Sequence, residues 1–349
     1  MAATVQVGPR RYARYRTSVQ EYVTFRTQGW LVVKGLVPPE DVQELKSHTD
    51  DIVHGRLELE GIGRAPSAGA ASHSAILDPT RVGELERRYV RIHMLHRRLE
   101  IHERFLLHPR ILDVLEALIG PEVLAMQTML FLKPPGADGQ GWHQDSYYIP
   151  TLPDSLCGAW LAIDRADEDN GCMHFLTGSQ HEPVHPSEKN RLAHYPLGEL
   201  DGLQVIASAH HSDSDESKNG LMPVVRRYPG GEVAVPADPG DVVFFGGHVL
   251  HRSLANLTAD RFRRSFVSHY ANARSYTEWG GGNGQHILAR GRTHLPYAQP
   301  RFGTPCAATC PVPSVLPGEA APTMMADGED MAVTPTETHR LDPKGHHAG

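Results

Sequence analysis

Trp142-His143-Gln144-Asp145 places an imidazole and a carboxylate two residues apart. On a strand, residues i and i+2 face the same way, so this segment offers both groups to one point in space. A metal held there needs a further ligand from elsewhere. The run Gly240-Asp241-Val242-Val243-Phe244-Phe245 reads as a strand that enters a Gly246-Gly247 turn and delivers His251. His248 is a rival third ligand. His251 is preferred because Ser253, two residues on, shares its face and is placed to bind a co-ligand. Two histidines and one carboxylate on one side of a metal, with the other side open, form a donor set that suits non-haem Fe(II).

A third segment, Arg261-Phe262-Arg263-Arg264-Ser265, pairs Arg263 with Ser265 at i and i+2. A guanidinium fork beside a hydroxyl suits a terminal carboxylate gripped through two parallel hydrogen bonds. An arginine between Phe262 and Phe266 on a strand is less easily left in water than one on a solvated edge.

These segments need elements to hold them. Leu31-Val32-Val33 reads as a short strand, and Pro38-Pro39-Glu40-Asp41 opens a helix with acids in its first turn. The apolar stripe of Leu106, Leu107, Ile111, Leu112, Leu115 and Leu118 predicts one helix from Arg104 to Ile119, stopped by Gly120-Pro121. Residues 18–120 thus read as mostly helical. After Pro121 the texture changes to short strands between Gly, Pro and Asp turns: Val123–Leu132, Trp142–Ile149, Gly158–Asp164, Cys172–Phe175, Glu232–Val235, Asp241–Phe245 and Arg264–Ala271. Many short strands at modest spacing point to a sandwich, jelly roll or barrel. Gly63–Ser74 and Ser208–Gly220 read as loops.

Composition bounds the function. The chain has 349 residues, 40% of them hydrophobic, enough for a large core. With 34 Lys and Arg against 41 Asp and Glu, the net charge is −7, which argues against nucleic acid as the main partner. No apolar run approaches the roughly 18 residues of a membrane span. Four cysteines are too few for a secreted disulfide framework, so a reducing compartment, the cytoplasm, is expected. Cys306 and Cys310 lack nearby partners at zinc spacing and are expected as reduced thiols. Residues 1–17 are expected as a basic, flexible N-terminus, 18–310 as one domain, and the proline-rich 311–349 as a disordered tail.

The joint order of these pieces resembles the phytanoyl-CoA dioxygenase-like family of Fe(II)/2-oxoglutarate-dependent oxygenases, over roughly residues 20–275. Its carriers are Gly29-Trp30-Leu31-Val32-Val33 with Pro38-Pro39-Glu40, then Gly120-Pro121 through Met126-Gln127-Thr128-Met129. Lys133-Pro134-Pro135-Gly136, Trp142-His143-Gln144-Asp145, Trp160 and Asn170-Gly171 follow, with Gly178-Ser179-Gln180-His181. Gly240-Asp241 to His251-x-Ser253, Asn256 and Arg263 complete the series.

The resemblance implies a mainly β fold with flanking helices, a double-stranded β-helix or cupin-like jelly roll. It implies Fe(II) on His143, Asp145 and His251, with 2-oxoglutarate as co-substrate against Met129, Trp160, Ser253 and Arg263. Arg261 and Arg264 stand as alternatives to Arg263. Arg91 is the nearest basic candidate for the family's upstream lysine. Consumption of O2, release of succinate and CO2, and hydroxylation or a related oxidation of a C–H bond follow from the same resemblance. The substrate is expected to be a small organic molecule, a specialised metabolite or an acyl-CoA-like compound. Asp145 disfavours halogenation, which leaves that ligand position to a small residue. The rival reading is a cupin-like jelly roll that binds metal or ligand without oxygenase turnover.

Overall fold

The computed structural model describes residues 12–54, 56–57, 90–185 and 212–303. Ser18 caps helix α1 (Val19–Gln28): its hydroxyl accepts from the Glu21 N–H, and the Glu21 carboxylate accepts from the Ser18 N–H. Such reciprocal caps stabilise a helix by about 1 kcal/mol. Gly29, at φ 84°, ends α1 and turns the chain into strand β1 (Trp30–Val33). Pro39 opens α2 (Pro39–Val53) as expected.

The stripe from Arg104 to Ile119 is two helices, not one: α3 (Glu100–Leu106) and α4 (Pro109–Ile119). Pro109 has no N–H with which to continue α3, and His108 before it is held extended at ψ 121°. The same apolar face continues on both sides of the break, which is why periodicity alone reads through it.

Among the described residues the strands form two sheets. The larger runs β1–β8–β5–β10–β3–β11, with β2 also on β3. Its members are β2 (Val90–His93), β3 (Val123–Lys133), β5 (Cys157–Ala162), β8 (Val242–Gly246), β10 (Arg263–Asn272) and β11 (Ile287–Arg290). The smaller runs β4 (Gln140–His143), β9 (His251–Ser253), β6 (Met173–Leu176) and β7 (Glu232–Val235). This is the jelly roll with flanking helices. Strands β2, β9 and β11 go beyond the expected set: each is short and carries an arginine, so none stands out as an apolar run. The expected strand Trp142–Ile149 is corrected: β4 stops at His143, and Asp145–Tyr147 forms a tight helical turn.

Each face of the larger sheet has its own core. Outside, Leu45, Leu112 and Leu115 of the helices pack on Leu161, Phe244 and Phe266. Inside, Trp160, Phe245 and Val267 meet Phe175 and Val235 of the smaller sheet. The alternation of β10 decides its chemistry. Phe266 and Tyr270 join the outer core, while Val267 points between the sheets, so Arg263 and Ser265 share its side.

The N-terminal end of the described residues is hydrogen-bonded to the helices. The Tyr12 hydroxyl donates to Asp41 Oδ2 at 2.7 Å, and the Tyr15 N–H donates to Asp113 Oδ2 at 2.9 Å, so residues 12–17 lie against α2 and α4. Expectations for residues 1–11, Gly63–Ser74, Ser208–His211, Cys306, Cys310 and 311–349 lie outside the described residues. No helix among the described residues is long and apolar enough to cross a membrane.

Candidate active site

His143 and His251 face each other across β4 and β9, in register, with ring centroids 4.0 Å apart. Asp145 reaches the same point from the turn that follows β4, not from the strand face that the i, i+2 spacing suggested. Its Oδ1 lies 3.6 Å from the Nε2 of each histidine. One ligand atom from each of the three residues lies within 4.8 Å of the others, and all three residues are buried.

Protonation can be read from the surrounding bonds. The Nδ1–H of His143 donates to Gly141 O at 2.9 Å, and that of His251 donates to Val249 O at 3.0 Å. Both Nε2 atoms are therefore left as lone-pair acceptors. Burial drives His143 well below the usual histidine range and lowers His251 too, which favours the neutral form of both rings. Burial works to raise the Asp145 carboxyl, but His251 and His269 outweigh it and hold it below the usual range. Two imidazole Nε2 acceptors and a carboxylate converge on one point. That is the donor set of a divalent cation, and it fits Fe(II).

Deeper in the fold lies a cationic pocket. Arg263 is 1% exposed. Its Nε donates to Gly171 O and its Nη1 to Ser265 Oγ, both at 3.2 Å, and its guanidinium lies 5.7 Å from the Trp160 ring centroid. Lys133 stands opposite Arg263 in the β3–β10 register. Its Nζ donates to Ser253 Oγ at 3.0 Å. Burial, then Arg263 and Arg91, push the Lys133 ammonium well below its usual value. Cations buried together in this way are relieved by an anion. Met129 lies on β3 opposite Val267 and His93. Arg91, on β2, packs 5.5 Å from the Phe131 ring centroid and adds positive potential at both Lys133 and His143.

A family model described as phytanoyl-CoA dioxygenase (PhyH) matches residues 25–265. The chain belongs to the phytanoyl-CoA dioxygenase family. Its relatives include the peroxisomal phytanoyl-CoA dioxygenase of Bos taurus, 27% identical over 261 residues that cover 73% of this chain and 69% of that protein. The Homo sapiens counterpart is 27% identical over 254 residues, covering 71% and 67%. Among solved structures, the epimerase SnoN in complex with Fe3+, alpha ketoglutarate and nogalamycin RO superposes with a TM-score of 0.54. It is 18% identical, with 81% of this chain and 95% of that one covered. EctD from S. alaskensis with 2-oxoglutarate and 5-hydroxyectoine gives a TM-score of 0.54 at 18% identity, covering 84% and 90%. These likenesses show a common fold. By family, this phytanoyl-CoA dioxygenase relative is an Fe(II)- and 2-oxoglutarate-dependent dioxygenase that uses O2.

The rival residues of this family member are engaged elsewhere. His248 turns its Nδ1 to Glu182 O at 2.8 Å and its Nε2 toward Asp154 Oδ2 at 3.5 Å. Arg261 clasps Asp167, and Arg264 clasps Asp164. Lys133 is the residue that sequence reasoning missed as a site residue. It stood inside a quoted motif, yet its pairing with Ser253, 120 positions away, is a tertiary fact.

Beside the candidate metal ligands, the Gln140 amide donates to His143 Nε2 at 2.9 Å and to Ser212 Oγ at 3.1 Å. Ser212 also shares a 2.9 Å hydrogen bond with the half-exposed Tyr148 hydroxyl. Gly139 and Gly141 let this layer close. A Cβ at Gly139 would lie 2.0 Å from Ser253 O, and one at Gly141 would lie 1.7 Å from Asp213 O. The Gly280–Gly284 segment is pinned by Asn283, whose amide donates to Ser275 O and whose carbonyl accepts from Thr277 N–H.

Proposed function

We propose that this protein oxidises a C–H bond of a small organic substrate, with 2-oxoglutarate as co-substrate and succinate and CO2 as co-products. His143, Asp145 and His251 hold the iron. Arg263, Lys133 and Ser253 hold the distal carboxylate of 2-oxoglutarate, with Trp160 and Met129 as apolar walls and Arg91 as a further cation. The observation that carries the reading is the convergence of His143, Asp145 and His251 with both Nδ1 protons already committed to backbone carbonyls.

The iron, when bound, supplies the redox chemistry with O2 and 2-oxoglutarate. The chain supplies position, charge and dryness. Asp145 offsets one of the two charges of the ion. The Arg263 fork fixes the direction of the co-substrate, since a planar guanidinium matches a carboxylate through two bonds. Trp160, Phe245 and Val267 keep water from the buried charges, which strengthens each of these interactions. The Asp145 carboxylate favours hydroxylation, desaturation or ring closure over halogenation.

Tyr148, beside His143 and half-exposed, marks the substrate side, with ring centroids 6.4 Å apart. A specialised metabolite or an acyl-CoA-like compound suits this opening. The curated relatives are named for phytanoyl-CoA, and SnoN is described as an epimerase of nogalamycin biosynthesis. The buried free thiols Cys157 and Cys172 suit a reducing compartment, for which the cytoplasm is proposed.

The test is anaerobic titration with Fe(II) and 2-oxoglutarate, which should give a weak visible charge-transfer band. A substrate screen that reads succinate by mass spectrometry then identifies the compound. A chain that binds neither iron nor 2-oxoglutarate is instead a cupin-like binding protein.

A further inference from the structure

Behind the metal ligands a line of buried polar side chains crosses the larger sheet. His269 Nε2 lies 2.7 Å from Asp145 Oδ2. The other nitrogen of His269, Nδ1, lies 3.0 Å from the Gln127 amide nitrogen. Gln127 in turn shares a side-chain hydrogen bond with His93 of β2. His269 is 1% exposed and Gln127 4%.

We propose that His269 is a positioning residue for the metal centre, and that Gln127 sets the tautomer in which it works. This rests on the iron-binding reading above.

A contact of 2.7 Å between an imidazole nitrogen and an ionised carboxylate needs a proton on the nitrogen. A neutral ring with Nε2–H presents a bare Nδ1, which must accept. The Gln127 amide nitrogen is a donor and meets that need. Reversing the tautomer would set two protons against each other at Gln127 and two lone pairs against each other at Asp145. The network therefore admits one arrangement for a neutral His269.

The consequence falls on Asp145. Its Oδ2 is committed to His269, while Oδ1 stands 3.6 Å from the Nε2 of both His143 and His251. One carboxylate oxygen is reserved for a metal and the other is held back. A carboxylate free to offer both oxygens would take an extra coordination position that co-substrate and O2 need. The backbone shows the same design. The β10–β3 pairing slips its register between His269 and Tyr270. An irregularity of that kind re-aims a side chain, and here the re-aimed residue meets the ligand turn 124 positions away in sequence.

The experiment compares His269→Gln, His269→Leu and Gln127→Leu in the full-length protein. Glutamine places an N–H near the position of Nε2, whereas leucine fills space and donates nothing. The readouts are the affinity for Co(II) alone, the visible band with Fe(II) and 2-oxoglutarate, and the melting temperature of the metal-free protein. His269→Leu should weaken Co(II) binding about tenfold or more, the usual cost of losing a ligand's outer partner. His269→Gln should recover most of that loss, and Gln127→Leu should fall between. A leucine variant that binds Co(II) like the parent overturns the proposal, as does a glutamine variant as weak as leucine. If His269→Leu fails to fold, Gln127→Leu decides: parental Co(II) affinity there overturns it. A parent protein that binds neither Co(II) nor Fe(II) fails the underlying iron-binding reading instead, before any variant is compared.

Discussion

His143 and His251 are direct partners across β4 and β9, so the pairing of two strands brings together two of the three candidate metal ligands. The ligands come from segments about a hundred residues apart, yet the pair is as fixed as any ladder position. A one-residue slip would send one imidazole to the opposite face.

Removing a ligand should therefore be decisive. His143→Ala, Asp145→Ala and His251→Ala should each abolish 2-oxoglutarate-dependent succinate formation and lower bound iron. His248→Ala should keep both, because His248 is turned to Glu182 and Asp154. Metal analysis and succinate release check this. A dead His248→Ala beside an active His251→Ala would reverse the assignment.

The three neighbouring arginines should separate by phenotype. Arg263→Lys should raise the 2-oxoglutarate requirement at least tenfold, as a point charge does not reproduce the fork, with little change in melting temperature. Arg264→Met should leave that requirement alone and destabilise the fold by about 2 kcal/mol, since Asp164 loses the guanidinium and keeps only the Lys46 ammonium and the residue-264 N–H. Steady-state kinetics and denaturant unfolding distinguish the two effects.

Glycine at the ligand strand is a steric requirement. Gly141→Ala would press a methyl group onto Asp213 O, at 1.7 Å in the present geometry. β4 or the 212–213 segment must move, so iron affinity should fall more than the melting temperature does. Equal iron affinity in the variant and the parent would refute the point.

Acid should unfold this protein early. Burial, helped by Arg97, takes His96 down to about 3, and burial with Arg110 takes His108 down to about 3. Burial with Arg91 takes His93 down to about 4. In the unfolded chain these rings titrate near about 6.5. Between those values the unfolded state binds more protons, so stability rises with pH. This contribution is complete above about pH 6.5 and is lost progressively as pH falls toward about 3. Melting temperatures measured from about pH 7.5 to about pH 4.5 should fall, and His108→Gln should make the slope shallower.

How much of this was legible beforehand follows from where each signal resides. His143 and Asp145 sit in one tetrapeptide, and His251 and Ser253 in another, so their identities stand in the linear chain. The alternation that turns Arg263 and Ser265 to one side of β10 is a period-2 pattern, equally readable. The strands Glu232–Val235 and Val123–Lys133 carry enough apolar residues to announce themselves. Other features depended on the fold. Asp145 leaves the strand for a helical turn, Pro109 divides a continuous apolar stripe, and three arginines within four residues are sorted by acids that approach from other elements. Lys133 and His269 look like ordinary strand residues until Ser253 and Asp145 arrive beside them. Covalent order specified which donors exist and how they alternate. Strand register and desolvation, which act between segments more than a hundred residues apart, selected the groups that meet and the ones that lose their water.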